Sequence, residues 1–524
     1  MNPSVFNHPA LIIPKMKSIL VLLLLSLLSA FAQPIDIASR RELFTDDHLI
    51  QDLEGGIALR LHHPRPREIV IVHDALWEGT GSGYHSVFKD GDLYRMYYKA
   101  WHIDTSKGKL DTSRHPLYCC YAESDDGISW RKPDLGLHEF EGSKANNISI
   151  ISETVGELNV DAGHPAVFKD GNPNASDDAR YKAILRSREP NGLIVYKSSD
   201  GITWSPLFNK PILRLKGAFD SQNLAFWDPT IRRYRAYWRI FTEGTITDDE
   251  WKPKGIRAIR TGLSDDLEEW EKLTDLTYED SPPQQLYTNG VLAYHRAPHI
   301  LIGFPTRYLE RDNTDAMKAL PDPENRETRA VASPRYGYAL SEGLFMASRD
   351  GTHFKRWNEA FLRPGPERPG TWHYGAHYLA WGVVETASSL PGAPKELSLY
   401  ATEQYWHGNG SALRRYTLRL DGFVSASAGW NGGTLLTRPL TFKGSRLELN
   451  FSTSAAGSIR VEIQDKNGDP LPGFSLEDCP SYFGDSVKKT ITWNNHSDLS
   501  AIAGQSVQIL FELKDGDLFS FRFQ

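Results

Sequence analysis

The stretch Ser124-Asp125-Asp126-Gly127-Ile128-Ser129-Trp130 reads as a tight turn fastened to an aromatic anchor, and it recurs along the chain. The further copies are Ser198-Ser199-Asp200-Gly201-Ile202-Thr203-Trp204, Ser264-Asp265-Asp266-Leu267-Glu268-Glu269-Trp270 and Ser348-Arg349-Asp350-Gly351-Thr352-His353-Phe354. A degenerate fifth is Leu420-Asp421-Gly422-Phe423. Each ends a β-like run; Asp and Gly supply the hairpin geometry, and the aromatic residue begins the next strand.

Upstream of each turn lies another pair of strand-like runs. The first, His85 to Trp101, carries Asp90-Gly91 at its hairpin, and its counterparts start at His164, Asn223, Gly290 and His377. Five units therefore run from about residue 73 to residue 423, each a four-stranded antiparallel meander without helical periodicity. That pattern predicts an all-β chain built on a five-bladed β-propeller. Blades of ~70 residues exceed the common propeller repeat, so long connections are on hand to build a pocket. The segment from Asp36 to Ile71 precedes the first unit and is expected to supply the strand that closes the ring on the last blade. After Phe423 come short alternating strands with Gly, Asp and Ser turns, the pattern of a C-terminal β-sandwich. The expected division is 1–32 signal peptide, 33–423 propeller catalytic domain and 424–524 sandwich accessory domain.

The signal peptide rests on Lys15 and Lys17 followed by the apolar run Ile19 to Phe31, closing in Ala30-Phe31-Ala32. The run is shorter than the ~20 residues a spanning helix needs. The mature chain is expected to start near Gln33 and to be secreted or periplasmic, with no membrane contact after cleavage. The 524 residues carry 59 basic and 66 acidic side chains, net charge −7, which gives no electrostatic footprint for nucleic acid. Of three cysteines, Cys119 and Cys120 are neighbours on a strand and point to opposite faces, so buried free thiols are expected.

In a propeller the first strand of every blade lines the axis, and antiparallel pairing brings the start of strand one and the end of strand two to the same rim. Strand-one starts give Glu78 and His85, Asp161 and His164, Asp220 and Asn223, Asn289, and His373 and His377; strand-two ends give Trp101 and His102, Arg186, Arg239, Arg307 and Glu403. Several carboxylates in an aromatic funnel suit glycosidic-bond cleavage, in which one acid protonates the leaving oxygen and another activates water or attacks carbon. The candidate catalytic acids are Asp161, Asp220, Glu78 and Glu403. Glu403 has a second reading as the ion-pair partner of a neighbouring arginine. His164 or His85 could carry the proton, since imidazole titrates near neutrality. His85, Trp101, His102, His164, Asn223, Arg239, Asn289, Arg307 and His373 are the candidate substrate-binding residues.

The five-unit pattern, with His85-Ser86-Val87-Phe88-Lys89-Asp90-Gly91 and its Asp-Gly turns, resembles the five-bladed glycoside hydrolase superfamily that includes families 32, 43, 68 and 117. The layout of propeller and trailing sandwich is similar to family 32 over the whole mature chain. The resemblance implies a secreted carbohydrase acting on poly- or oligosaccharides, with three acids at the blade mouths. The signatures themselves diverge: Gly81-Ser82-Gly83-Tyr84-His85 stands where family 32 has Asn-Asp-Pro-Asn-Gly, and Ala162-Gly163-His164-Pro165 where it has Arg-Asp-Pro. Two other readings stay open. One is a non-catalytic glycan-binding propeller. The other is a sialidase-like enzyme, disfavoured because Asp126-Gly127 and Asp200-Gly201 are adjacent where the Asp-box inserts a residue. No cofactor is expected and no metal site is assigned, although an Asp-rich turn leaves room for a structural calcium ion. The expected partner is a carbohydrate; sugar identity, stereochemistry and oligomeric state stay open.

Overall fold

The computed structural model describes residues 33–524 apart from 215–216, 247–249 and 409, so the expected signal peptide at 1–32 lies outside the described residues. Five antiparallel sheets form the blades of a β-propeller. Blade I runs Gly83–Asp90, Leu93–Ala100, Tyr118–Ser124 and Ile148–Ile151 from the axis outward. Blade II is Leu158–Lys169, Tyr181–Arg188, Asn191–Ser198 and Ser205–Pro206, and blade III is Leu224–Asp228, Arg233–Ile246, Trp251–Ser264 and Glu271–Asp275. Blade IV is Leu292–Tyr294, Ala297–Gly303, Met346–Ser348 and His353–Arg356. Blade V takes Val384–Thr386, Glu396–Glu403 and Ser411–Arg419, and its outermost strand is Arg65–His73 from the N-terminal side. Pairing from Ser411 with His73 to Thr417 with Arg65 closes the ring as expected, joining the two ends of the propeller in one sheet.

The recurrent turn sits between the third and fourth strands of blades I to IV. In the first copy the Ser124 hydroxyl accepts from the Gly127 amide at 2.9 Å, and the Asp126 carboxylate accepts from the Ile128 and Ser129 amides at 2.7 Å each. The same bonds recur around Ser198 and Asp200, Ser264 and Asp266, and Ser348 and Asp350. Gly127, Gly201 and Gly351 have φ of 73°, 79° and 82°, in the left-handed region that favours glycine. The turn also latches neighbouring blades: the Tyr97 hydroxyl donates to Gly201 O at 2.7 Å, Tyr237 to Gly351 O at 2.9 Å and Tyr400 to Gly127 O at 2.5 Å. Blade II has Ile184 where these strands have tyrosine, and the facing turn has Leu267, fully buried in the same core cluster at φ 71°. A greasy pair replaces the hydrogen bond there.

Cores lie between blades rather than within them. Cys120 packs with Tyr400 and Leu413 between blades V and I, and Cys119 with Leu185 and Ile194 between blades I and II, so the adjacent thiols face opposite ways and stay free.

The C-terminal sheet draws strands from both ends of the chain. Val424–Ala428, Gly433–Thr437, Leu447–Gln464, Asp485–Thr490 and Gln508–Phe523 are joined by Arg41–Leu43, Ile50–Glu54 and Ala58–Leu61 in an eight-stranded arrangement. The N-terminal stretch expected to lie wholly with the propeller thus divides, because residues 41–61 find their backbone partners in the sandwich and only Arg65–His73 in blade V. Phe44, Phe511 and Phe521 pack edge-on and tilted against one another in the sandwich core. The degenerate fifth turn is the joint. Its Asp421 carboxylate, instead of capping its own turn, accepts from Arg296 Nε at 2.7 Å, the Tyr294 hydroxyl at 2.8 Å and the Ser520 hydroxyl at 2.7 Å, while Phe423 stacks on Phe345 at 5.1 Å.

Blade IV departs from the expected helix-free meander. Between its second and third strands an extra hairpin, Thr306–Glu310 with Ala339–Gly343, carries three short helices, Asp315–Lys318, Pro323–Ala332 and Pro334–Tyr338. Buried Arg326 and Arg329 fasten this insertion to blade V by donating to the carbonyls of Trp372, Tyr405 and Trp406. No helix among the described residues is long and apolar enough to cross a membrane.

Candidate functional site

At one rim the mouths of blades I and II break their ladders and that of blade III replaces a ladder bond by a side chain, and these departures aim side chains at the axis. The Gly83–Lys99 to Ser86–Tyr97 register slips, and Tyr84 takes φ 50° to point inward. In blade II the slip between Asp161 and Ala166 folds Ala162 to Pro165 out of line, returning the His164 ring to Asp161; a Cβ on Gly163 would meet Leu117 at 2.7 Å. In blade III the side chain of Asn223 stands in for a ladder bond by accepting from Arg239 N at 2.9 Å, which frees Asp220 to face the opening. Bulges of this kind re-aim side chains at functional rims.

The result is a ring of contacts around the axis. Tyr84 lies 5.6 Å from the His164 ring and 6.4 Å from Tyr378; Tyr378 lies 5.5 Å from Tyr287; Arg239 sits 4.9 Å over Tyr287 and pairs with Asp220, which in turn feels His164. Tyr374, Tyr405 and Trp406 extend the wall, and the hydroxyls of Tyr287 and Tyr374 are 3.2 Å apart. Beneath Tyr84, Lys99 reaches the Tyr405 hydroxyl at 3.2 Å and sits 4.7 Å from the Trp101 ring. Burial draws its pKa down to about 7, with the Asp161 carboxylate opposing.

Asp161 is buried and saturated, accepting from Gly163 N at 2.9 Å, His164 Nδ1 at 3.1 Å and Arg188 Nε at 3.2 Å. Burial works against its charge, but His164 and Arg188 outweigh it and hold the carboxyl well below the usual range. The bond to Asp161 orients the imidazole and leaves Nε2 without a protein partner among the described residues. The Asp220 side chain is 42% accessible through the mouth though enclosed on its other sides. That enclosure raises its pKa, and Arg239, with His164 and Arg186, more than reverses the effect. For Tyr287 burial likewise pushes upward, but Arg239 and Arg335 bring the phenol below its ordinary value.

The funnel thus gathers Asp161, His164, Asp220, Arg239 and Trp101 of the expected set, and leaves the rest outside it. Glu78 is fully buried between blades V and I, held by the Tyr98 hydroxyl at 2.6 Å, Lys132 at 2.7 Å and His73 at 3.3 Å. Burial opposes its charge, yet His73 and Lys132 draw its pKa to about 2. His85 is buried against His73 at 2.9 Å. Glu403 is the ion-pair partner of Arg368 and Arg414, the second of its two readings. Arg307 lies in the extra hairpin, bound to Glu342 and to Asn358 O at 2.8 Å. Asn223 and Asn289 serve backbone groups, and His373 is buried with Nδ1 toward Tyr374 O at 3.1 Å. His102, part exposed, stands 6.1 Å from His115. Sequence reasoning missed the tyrosines 84, 287, 374, 378 and 405 and the arginines 257 and 335. Their signal was position: Tyr84 and Tyr287 stand within two residues of His85 and Asn289, which were singled out. Among the described residues no cluster of three His, Cys, Asp or Glu side chains is arranged to hold a metal.

The axis is sealed below the funnel. Gln222 Nε2 donates to Tyr84 O at 2.9 Å and Pro165 O at 3.1 Å, and Trp381 Nε1 to Val291 O at 2.8 Å, which ties blades I to V at the centre. A separate cavity of about 800 Å³ opens on the opposite rim, walled by Val87, Phe168, Phe226, Trp227 and Trp381. Its acids are held in ion pairs, Asp170 by Lys182 and Glu385 by His295, which leaves Lys89 and Lys395 on its wall and no free carboxylate among its lining residues, so the acid–imidazole constellation is that of the first rim.

Fold and site together define a five-bladed β-propeller with a tyrosine-walled axial funnel. No protein-family profile and no curated protein matches the chain. Among solved structures it is similar to a glycoside hydrolase family 43 arabinoxylan arabinofuranohydrolase from Bacillus subtilis in complex with cellotetraose, at 12% identity and TM-score 0.40, over 86% of this chain and 96% of that one. It is similar to a GH32 β-fructofuranosidase from Bombyx mori at 10% identity and TM-score 0.37, over 89% and 94% of the two chains. It is also similar to an N-acetylgalactosamine deacetylase from F. plautii in complex with blood group B trisaccharide, at 11% identity and TM-score 0.41, over 68% and 94%.

Proposed function

We propose that the protein is an exported glycoside hydrolase that cleaves a poly- or oligosaccharide in the axial funnel. The observation that supports this is the His164 imidazole, oriented by buried Asp161 and neighbouring half-exposed Asp220, within a wall of aromatic rings. In this reading the aromatic faces hold the sugar, His164 Nε2 gives its proton to the glycosidic oxygen, and Asp220 serves the anomeric carbon by attacking it or by activating the water that supplies its hydroxyl. Asp161 acts through His164 as a positioning residue.

Incubating the mature chain with a panel of glycans and identifying the released products tests this. His164→Ala and Asp220→Asn are each expected to lower kcat on the order of 10²-fold or more with binding retained. Asp161→Asn is expected to lower kcat on the order of tenfold and to shift the pH profile. Export is tested by sequencing the N-terminus of the protein recovered outside the cytoplasm, expected near Gln33.

The second reading, a propeller that binds glycan without cleaving it, draws on Glu78 and Glu403 being consumed in ion pairs, which leaves Asp220 as the accessible funnel acid. Binding by the parent protein with no product from any glycan would select it.

A further inference from the structure

Most buried arginines of this protein have found an oxygen. Arg235 pairs with Asp228, Arg349 with Glu42 and Arg415 with Glu68, while Arg329 donates to two backbone carbonyls. Two funnel arginines, each half-buried, have neither a carboxylate nor a backbone carbonyl among the described residues. Arg257, on the third strand of blade III, gives one bond to the Gln285 side chain at 3.0 Å, and Arg335, on the insertion helix Pro334–Tyr338, one to the Tyr374 hydroxyl at 3.3 Å. The Nε atoms of both are buried without a partner, and so is that of Arg239. No carboxylate pairs with Arg257 or Arg335 among the described residues.

Arg239 and Arg257 crowd one another, and Arg335 approaches the same tyrosines. Arg239 and Arg257 come from paired strands and lie 5.7 and 5.1 Å from the same Phe241 ring; they lie 4.9 and 5.4 Å from Tyr287, and Arg335 acts electrostatically on Tyr287 as well. Among the described residues the carboxylate paired with any of the three is Asp220, already on Arg239. Stacking on tyrosine offsets only part of the cost of removing a cation from water. Drawing a cation part-way out of water without a counter-ion is unfavourable, and more so beside like charges. The cluster is therefore short of an anion, and it adjoins the reactive pair: Arg239 holds Asp220, which His164 acts on in turn, and Arg239 and Arg257 share the Tyr287 ring.

We propose that the funnel takes an acidic sugar, whose carboxylate or sulfate docks among Arg239, Arg257 and Arg335 beside Tyr287. This rests on the funnel being the glycan site. Both anions present two oxygens in the geometry that a guanidinium fork meets with paired hydrogen bonds. Because Arg335 belongs to the blade IV insertion and Arg257 to blade III, one bound anion bridges the two.

Calorimetric titration of the full mature chain with galacturonate oligomers, sulfated galactan oligomers and neutral xylo- and galacto-oligosaccharides tests this. At least one acidic class is expected to bind at least about tenfold more tightly than every neutral one, and to weaken as salt rises from about 0.05 to about 0.5 M. Which acidic class binds identifies the anion. Arg257→Gln and Arg335→Gln should each weaken acidic binding at least about tenfold, and the Lys variants should restore only part of it, since an ammonium keeps charge but loses the fork. Thermal melts of all four variants separate a binding loss from a folding loss, and the Lys variants keep the test sharp if a Gln variant unfolds. Neutral sugars binding as tightly as acidic ones, or Gln variants with unchanged acidic affinity, would overturn the inference while leaving a glycan-processing funnel intact. Failure of every sugar to bind overturns both.

Discussion

Which of four acids can do chemistry is decided by partners, not by position along the strand. Glu78 and Glu403 stand at blade mouths as the repeat requires, yet Lys132 and His73 take the first and Arg368 and Arg414 the second. Those partners lie between 5 and 54 residues away, so sequence spacing places the carboxylates at the rim but does not show what they meet. Asp161 and His164 were legible together because their contact is local, three residues apart on one bulged strand. His377 makes a related point. Its two ring nitrogens are buried with no hydrogen-bond partner, and burial, opposed by Glu403 and aided by Arg368 and Arg414, lowers its pKa to about 4. Because the folded value lies below the unfolded one, the stability it contributes is whole above pH ~6.5 and drains away as pH falls toward 4, by about 1.4 kcal/mol per pH unit at most. His377→Asn, which suits the φ of 62° there, is expected to flatten the pH dependence of unfolding free energy by about that slope between pH 6.5 and 4, measured by denaturant melts across the range. An unchanged slope would mean that the imidazole is already hydrated in the folded state.

Among the elements, the turn repeat was legible because it is self-contained: serine, aspartate and glycine satisfy one another within five residues. The insertion of blade IV was not, since its helices hold few apolar residues and depend on Arg326 and Arg329 reaching carbonyls of blade V. Its local signs are short ones: Asp322-Pro323-Glu324 and Ser333-Pro334 put proline at a first helical position, and Thr314-Asp315 caps the first helix. The latch between blades predicts where glycine is irreplaceable. At Gly351 a Cβ would stand 2.3 Å from Arg235 Nη1 and 2.8 Å from the Tyr237 hydroxyl, on a backbone at φ 82°. Gly351→Ala is expected to cost about 2 kcal/mol and to lower the melting midpoint by a few degrees. Gly429→Ala, where a Cβ meets nothing within 4 Å, should leave the midpoint unmoved. Equal midpoints for the two variants would show that the turn yields to the side chain and is no latch.

For the molecule entire, the N-terminal stretch is woven through both domains, which no local pattern encodes: residues 41–61 complete the sandwich and Arg65–His73 completes the propeller. Unfolding either domain therefore pulls on strands whose neighbours belong to the other, and a buried charge cluster stands at the crossing. Asp421 there meets Arg296 at 2.7 Å and Arg41 at 3.4 Å, and Asn450 and Ser520 fill its remaining lone pairs. Its ion partners come from both sides of the joint, since Arg296 belongs to blade IV and Arg41 to the sandwich sheet. Asp421→Asn keeps the shape but leaves two guanidiniums facing an amide, which for a buried pair costs about 3 to 5 kcal/mol. The parent chain is expected to melt in a single calorimetric transition because the shared strands couple the domains. In the variant the midpoint should fall and the peak should split, the sandwich separating from the propeller, since the cost is concentrated at their contact. A midpoint that falls with the peak still single would locate the coupling in the woven strands alone. Two peaks in the parent would mean that the joint carries too little free energy to bind the domains into one folding unit.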